Sequence, residues 1–194
     1  MENHFAKRIF LAVNLESKIK KEISLIQNVI TSGNSVIKWV KPELMHITLE
    51  FFGNQSKDKI QLISGIVRKI TDNCKEFNIG ISLNIGAFPS IKKPKIIWVG
   101  IEKGNDELKG LSHLIKTELK RNHFMTVDAE FRSHITIGRI KYLKDLDLSK
   151  YSTRSTTTKN NSQTVKSIEL MESNLTRYGP IYQVVESFPF LNKC

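Results

Sequence analysis

The tetrapeptides His46-Ile47-Thr48-Leu49 and His134-Ile135-Thr136-Ile137 repeat one pattern inside two short, strongly β-prone runs. On a strand successive side chains alternate faces, so each copy sends its His and Thr to one side and its two aliphatic residues to the other. Each copy therefore asks for a sheet with one buried face and one polar face, on which an imidazole and a hydroxyl stand side by side. The chain has five histidines, and two of them sit in these identical units. That repetition suggests an internal duplication whose halves bring two imidazoles to one cleft.

The remaining periodicities supply the elements around the boxes. Residues 8–14 read as a buried strand, and residues 16–30 as an amphipathic helix with Ile19, Ile23, Ile26 and Ile30 on one face, ended by Gly33. Residues 36–40 and 45–52 are short β-rich runs on either side of the turn Lys41-Pro42-Glu43. A second helix spans 58–70, with Ile60, Ile63, Val67 and Ile70 inward. Strands at 77–87 and 95–101 are expected to pair across Phe88-Pro89 and Lys92-Lys93-Pro94. A third helix at 107–119 turns Leu108, Leu111, Leu114, Ile115 and Leu119 inward, and the strand at 131–140 bears the second box. Residues 151–164 are rich in Ser, Thr, Asn and Lys without apolar period and read as a mobile loop. Strands at 165–171 and 181–188 close the chain, joined by a turn containing Tyr178-Gly179-Pro180.

Short connections favour antiparallel pairing, so the expected fold is α+β. Residues 1–194 form one domain of two pseudo-symmetric lobes, each an antiparallel sheet with helices on its outer face. The active-site cleft lies between the lobes, where the two polar strand faces meet.

Thirty Lys and Arg against nineteen Asp and Glu give a formal charge of +11, which suits a polyanion such as nucleic acid. A Lys-rich solvated surface would give the same sum. Cys74 and Cys194 show neither metal-ligand spacing nor a disulfide framework, and the cytoplasm is the expected compartment. The apolar stretch at 9–13 is too short to span a membrane, and no membrane partner is expected.

Two histidines without a third ligand at a familiar spacing make a poor zinc site, so no metal and no cofactor is expected. No serine lies in a nucleophile-elbow context, and neither cysteine has a base nearby in sequence. General acid-base chemistry remains, for which imidazole, with an unperturbed pKa of about 6.5, is the best suited side chain near neutrality. A phosphodiester fits such a pair. One imidazole takes a proton from water, the other gives one to the leaving ribose oxygen, and Thr48 and Thr136 donate to non-bridging oxygens. Arg139 stands five residues after His134, an offset that puts it on the opposite face of a regular strand. A bulge or bend at Gly138 would return its guanidinium to the phosphate; otherwise it is a surface arginine at a strand end. His4, His113 and His123 lie outside any repeat and read as surface or packing residues.

Taken in order, these features resemble the two-histidine phosphoesterases, and within them the RNA 2′,3′-cyclic phosphodiesterases, also called 2′-5′ RNA ligases. Arg8-Ile9-Phe10-Leu11-Ala12-Val13 resembles the opening strand. The run from Trp39 through His46-Ile47-Thr48-Leu49 to Gly53 resembles the first His-x-Thr-x box with its flanks. Gly86-Ala87-Phe88-Pro89 with residues 94–100 resembles the central hairpin, residues 131–139 the second box, and residues 173–190 the closing strands. The resemblance implies that His46 is the proton donor and His134 the acceptor, with Thr48 and Thr136 binding phosphate and Arg139 assisting. The residues by themselves do not assign the two roles. The implied reaction opens a terminal 2′,3′-cyclic phosphate on RNA to a 2′-phosphomonoester without cofactor, with 2′-5′ ligation as its reverse. Ser133 stands where the family often has proline, and Leu44-Met45 where Asn-Leu is more usual.

Other readings keep the boxes and change the task. The substrate could be a small cyclic phosphate or a 2′-5′ oligonucleotide, or the chain could be a nucleotide- or RNA-binding module without turnover. A monomer is expected, and Phe51, Phe52 and Tyr182 are candidates for stacking on the terminal base.

Overall fold

A computed structural model gives the structure of residues 6–126, 130–151, 161–177 and 179–191. The first strand, β1 (Lys7–Asn14), shows how the chain manages two faces. Its apolar run is unbroken, yet alternate residues go to different clusters: Ile9, Leu11 and Val13 join the main core. Phe10 and Ala12 instead meet Met171 and Tyr182 on the other face.

Helix α1 (Ser17–Val29) follows, with Ile19 and Ile23 buried. Gly33 does not cap it. The helix closes at Ile30, and Gly33, at φ +57°, forms a later turn where a Cβ would stand 2.8 Å from the Asp145 carbonyl oxygen. The chain continues through β2 (Val36–Trp39), a short 3-10 turn at Pro42–Leu44 and β3 (His46–Gln55). Ser56 then caps α2 (Lys57–Thr71) by accepting the Lys59 N–H, and Ile60, Ile63, Val67 and Ile70 all point inward as their spacing predicts.

The hairpin of β4 (Phe77–Pro89) and β5 (Pro94–Lys103) leads into α3 (Asn105–Arg121). Leu114, expected inward, is 41% exposed. Its place on the inner face is held by Ser112, whose hydroxyl donates to the Leu49 carbonyl and ties α3 to β3. The last strands are β6 (His134–Tyr142), β7 (Ser162–Val165), β8 (Ser167–Thr176) and β9 (Gly179–Pro189). Of the loop expected at 151–164, residues 152–160 lie outside the described residues. Its edges are packed: Tyr151 is buried, its hydroxyl bonded to Thr31, and 162–164 belong to β7.

All strand pairings are antiparallel, in the order β7-β4-β5-β6-β3-β1-β8-β9, with β2 added beside β6. The middle of this order is its weakest seam, because β3 and β6 meet through the single register pair Ile47↔Ile135. Two lobes therefore diverge from the two boxes, and β2 widens the one that holds β6.

The duplication is visible as β1-α1-β3 against β5-α3-β6, since in each the outer strand pairs antiparallel with the box strand. The lobes are not the halves of the sequence, however. Strand β4 follows the first box yet pairs with β5, and β8 follows the second box yet pairs with β1. The first half thus lends β2 and β4 to the lobe of the second box, and the second half lends β8 and β9 to the lobe of the first, which locks the two together across the seam.

Candidate active site

The two boxes share more than letters. In each, the His and Thr are partly exposed while Ile47 and Leu49, or Ile135 and Ile137, are buried. Register then slips at the same position in both. Ala12 faces Thr48 and Leu11 faces Glu50, so Leu49 is an extra residue. Trp98 faces Thr136 and Ile97 faces Gly138, so Ile137 is its counterpart. An inserted residue reverses the facing of everything after it. Phe51 and Arg139, each five residues after its His, are thereby returned to the cleft.

The odd offset of Arg139 is thus resolved by a bulge at Ile137, one residue before the glycine. Gly138 has a different task. A Cβ there would lie 3.0 Å from the Ile37 side chain and from the Trp39 ring, so its absence lets β2 pack closely beside β6 and set Lys38 and Trp39 at the cleft.

Both imidazoles are held by the same device. The Nδ1 of His46 lies 2.8 Å from the Leu44 carbonyl oxygen, and that of His134 lies 2.7 Å from the Arg132 carbonyl oxygen. A carbonyl only accepts, so each Nδ1 carries a proton and donates it, and Nε2 is the nitrogen left to exchange protons. The Nε2 of His46 is also 3.0 Å from the Thr48 hydroxyl. Aromatic rings wedge both imidazoles: Phe10 and Tyr182 stand 4.9 and 5.3 Å from His46, Phe88 and Trp98 5.0 and 6.1 Å from His134.

The cleft encloses about 570 Å³, and its lining brings together all five residues singled out from the sequence: His46, Thr48, His134, Thr136 and Arg139. Arg8, Lys38 and Lys141 join Arg139 there, and no carboxylate lines it among the described residues. Arg8 also lies over the Phe51 ring, 5.1 Å from its centre. Of the proposed stacking residues, Phe51 and Tyr182 face the cleft, whereas Phe52 packs against the main core. His113 and His123 are exposed on the surface, and His4 lies outside the described residues.

Sequence reasoning missed Arg8, Lys38 and Lys141. For Arg8 a signal existed, because it shares strand parity with Phe10 at the start of an otherwise apolar run. Lys38 and Lys141 carried none, since their position depends on β2 docking beside β6.

The electrostatics follow from burial amid positive charge. Desolvation pushes the His46 imidazole below its ordinary pKa, and charge on His134, Lys20 and Arg139 pushes it further, against the opposing bond to Leu44. Burial lowers His134 too, opposed by its bond to Arg132. Burial raises the Tyr182 hydroxyl, while Arg139 and Arg8, which line the same cleft, pull it down. Among the described residues, no three His, Cys, Asp or Glu side chains gather where they would hold a metal ion, and no helix is long and apolar enough to cross a membrane.

A family model described as LigT-like phosphoesterase matches the chain twice, over residues 13–98 and 99–182, one box in each match. The RNA 2′,3′-cyclic phosphodiesterase of Methanothermobacter thermautotrophicus is 30% identical over 182 residues, covering 93% of this chain and 97% of that protein. The enzyme of the same name from Archaeoglobus fulgidus is 32% identical over 185 residues, covering 93% and 99%. A crystal structure of a Thermus thermophilus protein superposes with a TM-score of 0.78 at 20% identity, covering 95% of this chain and 98% of that one, which shows a shared fold. The twice-matching model and these full-length relatives establish that this chain belongs to the LigT-like phosphoesterase family.

Proposed function

We propose that this chain hydrolyses the terminal 2′,3′-cyclic phosphate of RNA to a 2′-phosphomonoester by general acid-base catalysis, using His46 and His134. The observation that carries the reading is the matched pair of imidazoles in one cationic cleft, each with Nδ1 anchored to a backbone carbonyl. Full-length relatives named as RNA 2′,3′-cyclic phosphodiesterases support the substrate.

His134 removes a proton from water as its oxygen attacks phosphorus. The P–O3′ bond breaks on the far side, and His46 delivers its Nε2 proton to O3′, leaving the phosphate on O2′. Thr48 and Thr136 donate to the non-bridging oxygens, and Arg139 pairs with the charge that builds there. In the free cleft burial lowers both imidazoles, and a bound phosphate works against that. Its negative charge offsets Arg139 and raises both imidazoles, so that one of the pair holds the proton the leaving oxygen needs, and the family pattern assigns that role to His46. Both boxes come from one chain, so a monomer completes the site. Ligation to a 2′-5′ linkage is the same in-line step with a 5′-hydroxyl in place of water, the P–O3′ bond again breaking and O3′ taking the proton.

The test is a substrate whose 3′ bridging oxygen is replaced by sulfur, since the departing thiolate needs no proton. His46→Ala should lose about 10²–10⁴-fold on the normal substrate and regain most of it on the sulfur analogue, while His134→Ala stays impaired on both. Rescue of His134→Ala alone would reverse the assignment, and full activity in either variant would end the proposal.

A further inference from the structure

A second groove adjoins the cleft and shares Lys38, Trp39, Leu44, Pro180 and Tyr182 with it. Beyond that shared wall it is lined by Lys20, Lys41, Thr176 and one carboxylate, Glu43. Three lysines, counting Lys38, against one glutamate make it a second cationic trough, continuous with the first through Lys38 and Trp39. A lone nucleotide reacting at the two imidazoles has no need of this groove.

We infer that the groove formed by Lys20, Lys38 and Lys41 binds the phosphodiester backbone of single-stranded RNA on the 5′ side of the reacting terminal nucleotide. The inference deepens, and rests on, the RNA phosphodiesterase reading. The covalent continuation of a terminal nucleotide is a chain with one negative charge per residue, and the adjoining surface is positive. Trp39, packed against Gly138 and lining both grooves, stands where the chain passes from one to the other. An aromatic face there accepts any base without reading sequence, and the lysines follow the backbone, which is the usual division of labour for single strands. Lys38 serves both grooves and would lie between the reacting phosphate and the next one. The groove thus favours the end of an RNA over a free cyclic nucleotide.

The experiment compares a nucleoside 2′,3′-cyclic phosphate with a trinucleotide ending in the same group, on the full chain and on Lys41→Gln. Lys41 is exposed and lines only the second groove, so the fold and the reacting site are spared. The trinucleotide should be turned over with the higher kcat/KM at low salt. Lys41→Gln should lower that value about threefold or more and reduce its logarithmic salt slope by about 0.7, the effect of one single-strand phosphate contact. The mononucleotide should keep its rate. Equal kcat/KM for the two substrates, or a variant that lowers both alike, overturns the groove while leaving the phosphodiesterase intact. Turnover of neither substrate removes the phosphodiesterase reading, and the groove with it.

Discussion

Strands β3 and β6 are the same device with different endings. Both place His and Thr on the cleft face, both bury the aliphatic residues between, and both insert one extra residue after the Thr. After the bulge they part. The first box continues Glu50-Phe51, with Glu50 buried near Lys116 and Phe51 in the cleft beneath Arg8. The second continues Gly138-Arg139, a glycine that admits β2 and a guanidinium that reaches the cleft directly. The backbone repeat thus supplies two equivalent imidazoles, while the residues after the bulge make one side aromatic and the other cationic. In the proposed reaction the two imidazoles take different roles, and these unequal surroundings distinguish the two boxes.

The largest test of this comparison removes each imidazole in turn, as described for the sulfur-bridged substrate, with a loss of about 10²–10⁴-fold expected from each. Equal behaviour of the two variants on both substrates would show the boxes to be functionally symmetric.

Next in size is the contrast between the two returned residues. Arg139→Ala should cost about ten- to a hundredfold in kcat, because a hydrogen bond to a charged group is worth about 1.5–3 kcal/mol. Phe51→Ala should act mainly on KM if its ring carries the terminal base. A fall in kcat with Phe51→Ala as large as that with Arg139→Ala would break the distinction.

The threonines sharpen it further. Thr48→Val and Thr136→Val should each lower kcat about tenfold, as lost donors to the phosphate. Only Thr48→Val should also move the pH profile, because the Thr48 hydroxyl bonds the His46 Nε2. In the parent protein both imidazoles titrate below about 6.5, the ordinary value. The singly protonated pair is thus depleted above that pH, and kcat/KM should already be falling at neutrality. Stability runs the opposite way with pH. The folded state holds fewer protons on these groups than the unfolded chain, so stability is fully present above about pH 6.5 and is lost as pH falls below it. A Tm that rises on acidification through this range would contradict the burial of both rings.

The smallest effect concerns the glycine of the second box. Gly138→Ala places a methyl group 3.0 Å from Ile37 and Trp39 and should cost about 1–3 kcal/mol by displacing β2. Thermal unfolding and Trp39 fluorescence would report it, and an unchanged Tm would mean that β2 yields freely.

Much of the architecture was legible because burial imposes a period. Ile19 and Ile23, and Ile60, Ile63, Val67 and Ile70, mark helices whose inner faces the structure keeps, and the two boxes mark half-buried strands. Leu114 misled because it lies just off a stripe completed by Ser112, a polar residue whose hydroxyl finds the Leu49 carbonyl only after α3 has docked. Gly33 misled because glycine after an apolar stripe signals a helix end, whereas its positive φ answers to the backbone at Asp145.

The sequence by itself determined the paired groups of the cleft: two His-x-Thr units, each obliged by strand alternation to present an imidazole and a hydroxyl on one face. Only the tertiary structure decided which residues join them. Bulges, the exchange of β4 and β8 between lobes, and the docking of β2 all depend on register between strands far apart in the chain. Hydrophobic periodicity records which face of an element is buried, but it carries no information about which partner lies opposite. Arg8, Lys38 and Lys141 reach the cleft through those pairings, and Arg139 through a bulge that exists only where β5 lies against β6.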